Sequence, residues 1–137
     1  MLKSTLTSFA VRLEKSAYAL LRLVSGATFS FHGMQKLFGL YTTYPKPPFG
    51  TQIWLGGVIE LLCGLLIAIG FLTRPAAFLA SGAMAMAYVQ FHWQLSLFEG
   101  RWLPVVNQGE LALLYCFLFL YIFAHGAGSL SLDRNKR

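Results

Sequence analysis

Two histidines and two glutamates, His32, Glu60, His92 and Glu110, each fall in a different long apolar stretch of this 137-residue chain. Gln35 and Lys36 follow His32 by three and four residues, where helical spacing brings them to its face or beside it, and Asn107 precedes Glu110 by three. Two chemistries suit these side-chain types. Imidazole and carboxylate together ligate iron, zinc or manganese. Alternatively, a His or Lys donates to a carbonyl, a Glu takes protons, and Phe31, Trp54, Trp93 and Trp102 supply aromatic walls, an arrangement that fits a quinone head group. Metal is the poorer match, because metal-binding bundles set Glu-x-x-His on one helix and no stretch here holds both types. A third reading is purely structural: Glu60 and Glu110 neutralise Lys36 and the histidines and fix helix register.

The stretches that must position these groups run over residues 18–38, 53–72, 75–94 and 103–124. Each is about 20 residues, enough to cross a hydrocarbon layer of roughly 30 Å. The chain is 56% hydrophobic and 12% charged, with a mean hydropathy of +0.59, whereas soluble domains are about a quarter charged. The pattern predicts an all-α fold, an integral membrane antiparallel four-helix bundle with short loops. Ionisable groups are costly in lipid and face a bundle interior. The depths of His32, Glu60, His92 and Glu110, together with Gln35, Lys36 and Asn107, therefore predict one polar layer displaced toward one side. In the other half Arg22 is the sole charged group, placed near enough to its helix start to snorkel.

Residues 1–16 read as an amphipathic segment, with Leu2, Leu6, Phe9 and Leu13 on one face and Lys3, Arg12 and Lys15 elsewhere. Residues 17–126 form the four-span domain and residues 127–137 a basic tail. Pro45, Pro47 and Pro48 stiffen the first loop. In the tight second link, Thr73 is placed to cap the third helix and Pro75 to occupy its first turn. Ala76, Ala77, Ala80, Ser81 and Ala85 offer close helix packing. Cys63 and Cys116 lack Cys-x-x-Cys spacing and read as small packing residues.

Eight of the eleven basic residues fall on the side of the termini, leaving Lys36, Lys46 and Arg101 on the other. The positive-inside rule then places both termini in the cytoplasm and the polar layer toward the outside. The net charge of +6 serves topology, not nucleic acid, because the basic residues are scattered with no aromatic–basic ladder.

Several segments carry a family resemblance. Leu21-Arg22-Leu23 followed by Phe31-His32-Gly33-Met34-Gln35-Lys36-Leu37-Phe38-Gly39 resembles the first helix of the DoxX family of small bacterial membrane proteins. Glu60-Leu61 and Gly70-Phe71-Leu72-Thr73-Arg74-Pro75-Ala76 resemble its second helix and hairpin. Asn107-Gln108-Gly109-Glu110-Leu111 resembles its fourth helix, and Gly128-Ser129-Leu130-Ser131-Leu132-Asp133 its ending. The resemblance implies the bacterial cytoplasmic (inner) membrane and a redox subunit with a quinone acceptor and a membrane or peripheral partner protein. It equally covers members with no known activity, so a non-catalytic scaffold or assembly subunit stands as the alternative. No Gly-x-Gly-x-x-Gly or other flavin, haem or nicotinamide motif is present. The lipid bilayer is the one partner the composition itself demands; a homo-oligomer is left open.

Overall fold

Neither proline nor glycine occurs between Leu2 and Ser25, so nothing stops a helix that begins near the N-terminus. In the structure, a computed structural model that describes residues 2–133 and side chains from residue 7 onward, α1 runs unbroken over Leu2–Phe38. The amphipathic segment and the first apolar stretch are thus one helix. Phe9 and Leu13 are exposed, while the side chains of Leu2 and Leu6, and the basic tail residues Arg134, Lys136 and Arg137, lie outside the described set. Helix α2 (Gln52–Ile69) starts at Thr51, whose hydroxyl accepts from the Trp54 amide at 3.3 Å, and ends at Gly70 in the left-handed region. Helix α3 (Thr73–Ala87) continues as a π-helical turn over Tyr88–Trp93 and stops at Gln94.

The fourth apolar stretch does not form the single helix expected over residues 103–124. A short α4 (Pro104–Asn107) is followed by Gln108 at a φ of 58° and then Gly109, so α5 spans only Glu110–His125. The cause is local. The Asn107 side chain accepts from the Gly109 amide at 2.8 Å, a turn that competes with helix continuation.

The described residues are all-helical, and α1, α2, α3 and α5 lie antiparallel to their neighbours around a core of Phe29, Ile67, Ala77, Ala80, Phe119 and Ile122. Helix α1 meets α2 through glycines seven residues apart on both sides. A Cβ at Gly26 would lie 2.6 Å from the Gly64 carbonyl oxygen, and one at Gly33 2.6 Å from that of Gly57. No side chain fits between these backbones. The small residues of α3 serve a second contact: Ala76, Ala77, Ala80 and Ser81 are buried, with Ser81 donating to the Cys116 carbonyl on α5 at 2.8 Å. Ala85 instead faces outward.

The segment after α5 folds back over the α2–α3 turn. Asp133 accepts from the Leu72 amide at 3.0 Å, the Thr73 amide at 2.9 Å and the Thr73 hydroxyl at 2.8 Å. The cap of α3 is therefore Asp133, sixty residues downstream, and not Thr73, which is the first helical residue. Arg22 does not snorkel; it is 2% exposed. Its Nη1 donates to Ile67 and to Ala68 (2.8 Å), and Nη2 to Leu130 (2.7 Å), so it satisfies α2 carbonyls that the helix end leaves open and ties them to the C-terminal segment.

Gly33→Ala should lower protein stability by about 1–3 kcal/mol, because the new methyl meets backbone that cannot step aside. A methyl added at Gly82, in α3, would meet nothing within 4 Å. Gly82→Ala should be neutral or gain up to about 1 kcal/mol from helix propensity. Unfolding midpoints of the two variants check this; equal midpoints would contradict the backbone contact.

Candidate functional site

Gly57 lies one helical turn before Glu60 on α2, and its missing side chain determines what reaches that carboxylate. A Cβ there would stand 2.9 Å from Lys36 Cβ. The Lys36 stem therefore crosses α2 over a bare stretch of backbone, and its ammonium donates to Glu60 Oε1. This is the one ion pair among the described residues, with the Glu60 side chain 3% exposed and that of Lys36 35%. Lys36 sits in the last turn of α1, where a positive charge also complements the helix dipole. The second carboxylate oxygen, Oε2, is buried and has no hydrogen-bond partner among the described residues. A buried carboxylate oxygen without a donor is costly, and native structures rarely leave one.

Beside this pair lies a cavity of about 440 Å³ between α1, α2 and α3, within the range of small-molecule sites. Gly56, Ala83 and Ala87 open it by their small size, and Glu60, Lys36 and His92 are its ionisable lining. Leu55, Met86 and Phe91, each about half exposed, form an apolar rim on the outer surface of the helices. Gln52 at the start of α2 donates to Gln90 on the π-turn and closes one edge. His92 is carried by that turn, a feature that recurs at functional sites. Its Nδ1 stands 3.1 Å from the Asn107 carbonyl oxygen.

The structure thus brings together Lys36, Glu60 and His92 and disperses the rest of the expected layer. His32 turns toward α5, edge-on to Tyr115 with ring centres 6.3 Å apart. Gln35 donates to the Tyr41 carbonyl at 3.1 Å and holds the first loop. Asn107 shapes the turn before α5: it donates to the Arg101 carbonyl at 2.8 Å and stands 3.4 Å from the Tyr88 hydroxyl. Glu110 is not two turns deep in a helix. It is the first residue of α5 and is exposed, because the helix starts later than its hydropathy suggests. Among the described residues no three His, Cys, Asp or Glu side chains converge as a metal site would require. Gly57 and Gln52 are site residues that hydropathy and charge do not mark. Gly57 nevertheless carries a usable signal: a glycine one turn from a buried acid permits a side chain from a neighbouring helix to reach it.

An antiparallel helical chain whose first hairpin buries a Lys–Glu pair beside a cavity belongs to a class in which polar groups are held inside an apolar bundle. The family is shown by comparison. This chain belongs to the DoxX family, whose model matches residues 17–93. A protein of Haemophilus influenzae, described only as uncharacterized, is 40% identical over 118 residues, covering 84% of this chain and 87% of that protein. No solved structure matches the chain. The family match contains Lys36, Glu60 and His92, together with His32 and Gln35, and stops before Asn107 and Glu110.

The two halves of the ion pair should not be equally sensitive. Lys36→Met strands a buried carboxylate and should cost about 3–5 kcal/mol. Glu60→Ala leaves a lysine that is a third exposed and able to turn toward solvent, so its cost should fall at or below the lower end of that range. The double variant should recover part of the Lys36→Met loss. Glu99→Ala, on an exposed 3₁₀ turn, is the neutral control. Equal stability of Glu60→Ala and Glu99→Ala would contradict the buried pair.

Proposed function

We propose that this DoxX-family chain is a multi-pass protein of the bacterial inner membrane that binds a quinone-like molecule, in its hydroxyl-bearing quinol form, in the cavity between α1, α2 and α3. The single observation that carries the reading is the buried, donor-less Oε2 of Glu60 beside a cavity with an apolar rim. An ionised carboxylate only accepts hydrogen bonds, so the complementary ligand must present a donor such as a phenolic hydroxyl. Lys36 orients the carboxylate, and His92, which lines the same cavity from the turn after α3, is the second polar contact for a ring. The chain holds no motif for a flavin, haem or nicotinamide, so a redox role requires a partner protein that carries the electron acceptor.

The membrane reading has its own support. Leu20, Leu23, Leu62, Leu65, Phe78 and Leu79 face outward on three helices, and Leu114 and Phe117 do so on α5. Arg22, Ser25, Ser30, Glu60, Thr73 and Ser81 are buried. That inversion suits a lipid environment and would leave a large apolar patch in water. Among the described residues only α2 is by itself long and apolar enough to cross a bilayer; α5 is apolar but has 16 residues. Helices shorter than the hydrocarbon thickness are accommodated by local thinning of the bilayer. The distribution of basic residues supports cytoplasmic termini, with the cavity toward the periplasmic side.

Cysteine introduced at Thr43 should react with an impermeant thiol reagent in whole cells, and cysteine at Ser131 should not. The reverse pattern would overturn the orientation. For the ligand, purified protein extracted with organic solvent should yield quinone at a substantial fraction of one per chain, and Glu60→Gln should lose it while keeping its helical content. The competing reading, a non-catalytic scaffold, is favoured by the fact that Lys36 already neutralises Glu60. It predicts no quinone in either sample.

A further inference from the structure

The opposite end of the bundle holds a second and larger cavity, of about 800 Å³, which the groove at Glu60 does not use. Its walls come from α1, the α2–α3 turn, the end of α5 and the segment that folds back after it. Two permanent cations reach it from separate elements: Lys15 from α1 and Arg74 from the second residue of α3. Among the described residues neither forms an ion pair. The Arg74 guanidinium lies beside Gly126, where a Cβ would come within 3.1 Å of Nε and 3.3 Å of Nη2, so the absent side chain leaves the guanidinium its place. His125 lies against Tyr18, the two rings tilted by 33° with centres 3.8 Å apart, and both line the cavity.

Two acids also line the cavity, and they bear differently on the charge. Asp133 is engaged on both oxygens by the amides of Leu72 and Thr73 and the Thr73 hydroxyl. Glu14 is exposed and precedes Lys15 on the helix. The two cationic side chains, both exposed, come from different elements, an arrangement that matches an anion with several acceptor oxygens. A guanidinium and an ammonium together suit a phosphate group.

We propose that this cavity binds a phosphate group, with Arg74 and Lys15 as its principal ligands. Lys15 lies just before the first apolar stretch and Arg74 at the turn between two others. In a bilayer both would stand at headgroup depth, so a phospholipid headgroup is one source; that assignment rests on the membrane reading above. A free phosphate is the other source, and it does not depend on that reading.

The test uses the full chain purified in a phosphate-free maltoside detergent. Binding of dioctanoyl-phosphatidylglycerol, of phosphate-free dioctanoylglycerol and of inorganic phosphate against chloride at matched ionic strength is followed by thermal shift and native mass spectrometry. Phosphatidylglycerol should bind and dioctanoylglycerol should not. Arg74→Gln and Lys15→Gln should each weaken binding by about tenfold, the loss expected for one charge-assisted contact. Lys46→Gln, on the opposite loop, should leave it unchanged. Binding of the lipid without a phosphate-over-chloride shift assigns the headgroup as the source; a matching shift with inorganic phosphate assigns soluble phosphate. No binding of either, or binding that survives both substitutions, overturns the proposal. Quinone content is read from a separate sample, so failure here leaves the groove reading intact, and loss of quinone leaves this cavity intact.

Discussion

A lysine ammonium and a glutamate carboxylate can meet between two helices only if the helices approach closely and something leaves a path for the lysine stem. Here both conditions come from glycine. Gly26 and Gly33 on α1 lie against Gly64 and Gly57 on α2, with backbone atoms where side chains would otherwise stand. The approach sets the height at which Lys36 faces Glu60, and Gly57 is the gap its stem crosses. The groove lies beside the pair that this contact sets. A wider spacing would leave Glu60 without its cation, and an isolated ionised carboxylate in an apolar interior is far too costly to persist.

The helical architecture was largely legible from hydropathy, because apolar stretches separated by proline-rich or turn-forming segments leave few alternatives. Element boundaries were less so. The start of α5 is set by an Asn107 side chain closing on the Gly109 amide, a local competition to which hydropathy is blind. Glu110 was misplaced for that reason. Arg22 was misread because distance to a helix end was taken to decide its environment, whereas the carbonyls at the end of α2 and the returning C-terminal segment hold it inside. The cap at Asp133 depends on chain reversal over sixty residues, which no local pattern reveals.

Part of the candidate site was readable and part was not. Glu60 and Lys36 stood out because a buried acid needs a cation and the adjacent span supplied one at compatible depth. His92 entered by depth alone, and its presence on the cavity depends on a π-helical turn that the sequence does not announce. His32 shares a depth with Glu60 but not a direction: Tyr115 of α5 takes its face. Depth along a helix is thus a one-dimensional coordinate, and a site needs the second coordinate, rotation about the axis, which packing supplies. The two ends of the bundle also differ in kind. The end near Gly126 is tied by long-range hydrogen bonds that Arg22 and Tyr18 donate and Asp133 accepts, while the end near His92 contains the groove.

The central claim is that Glu60 presents an accepting oxygen to a ligand hydroxyl. It is tested most directly by comparing the affinity of a short-chain quinol with that of its dimethyl ether, which has the same ring but no donor. Wild-type protein should bind the quinol at least about tenfold more tightly, the margin expected when a buried polar group is left unpaired. In Glu60→Ala the margin should vanish. Equal affinity of wild-type protein for the two compounds would contradict the account.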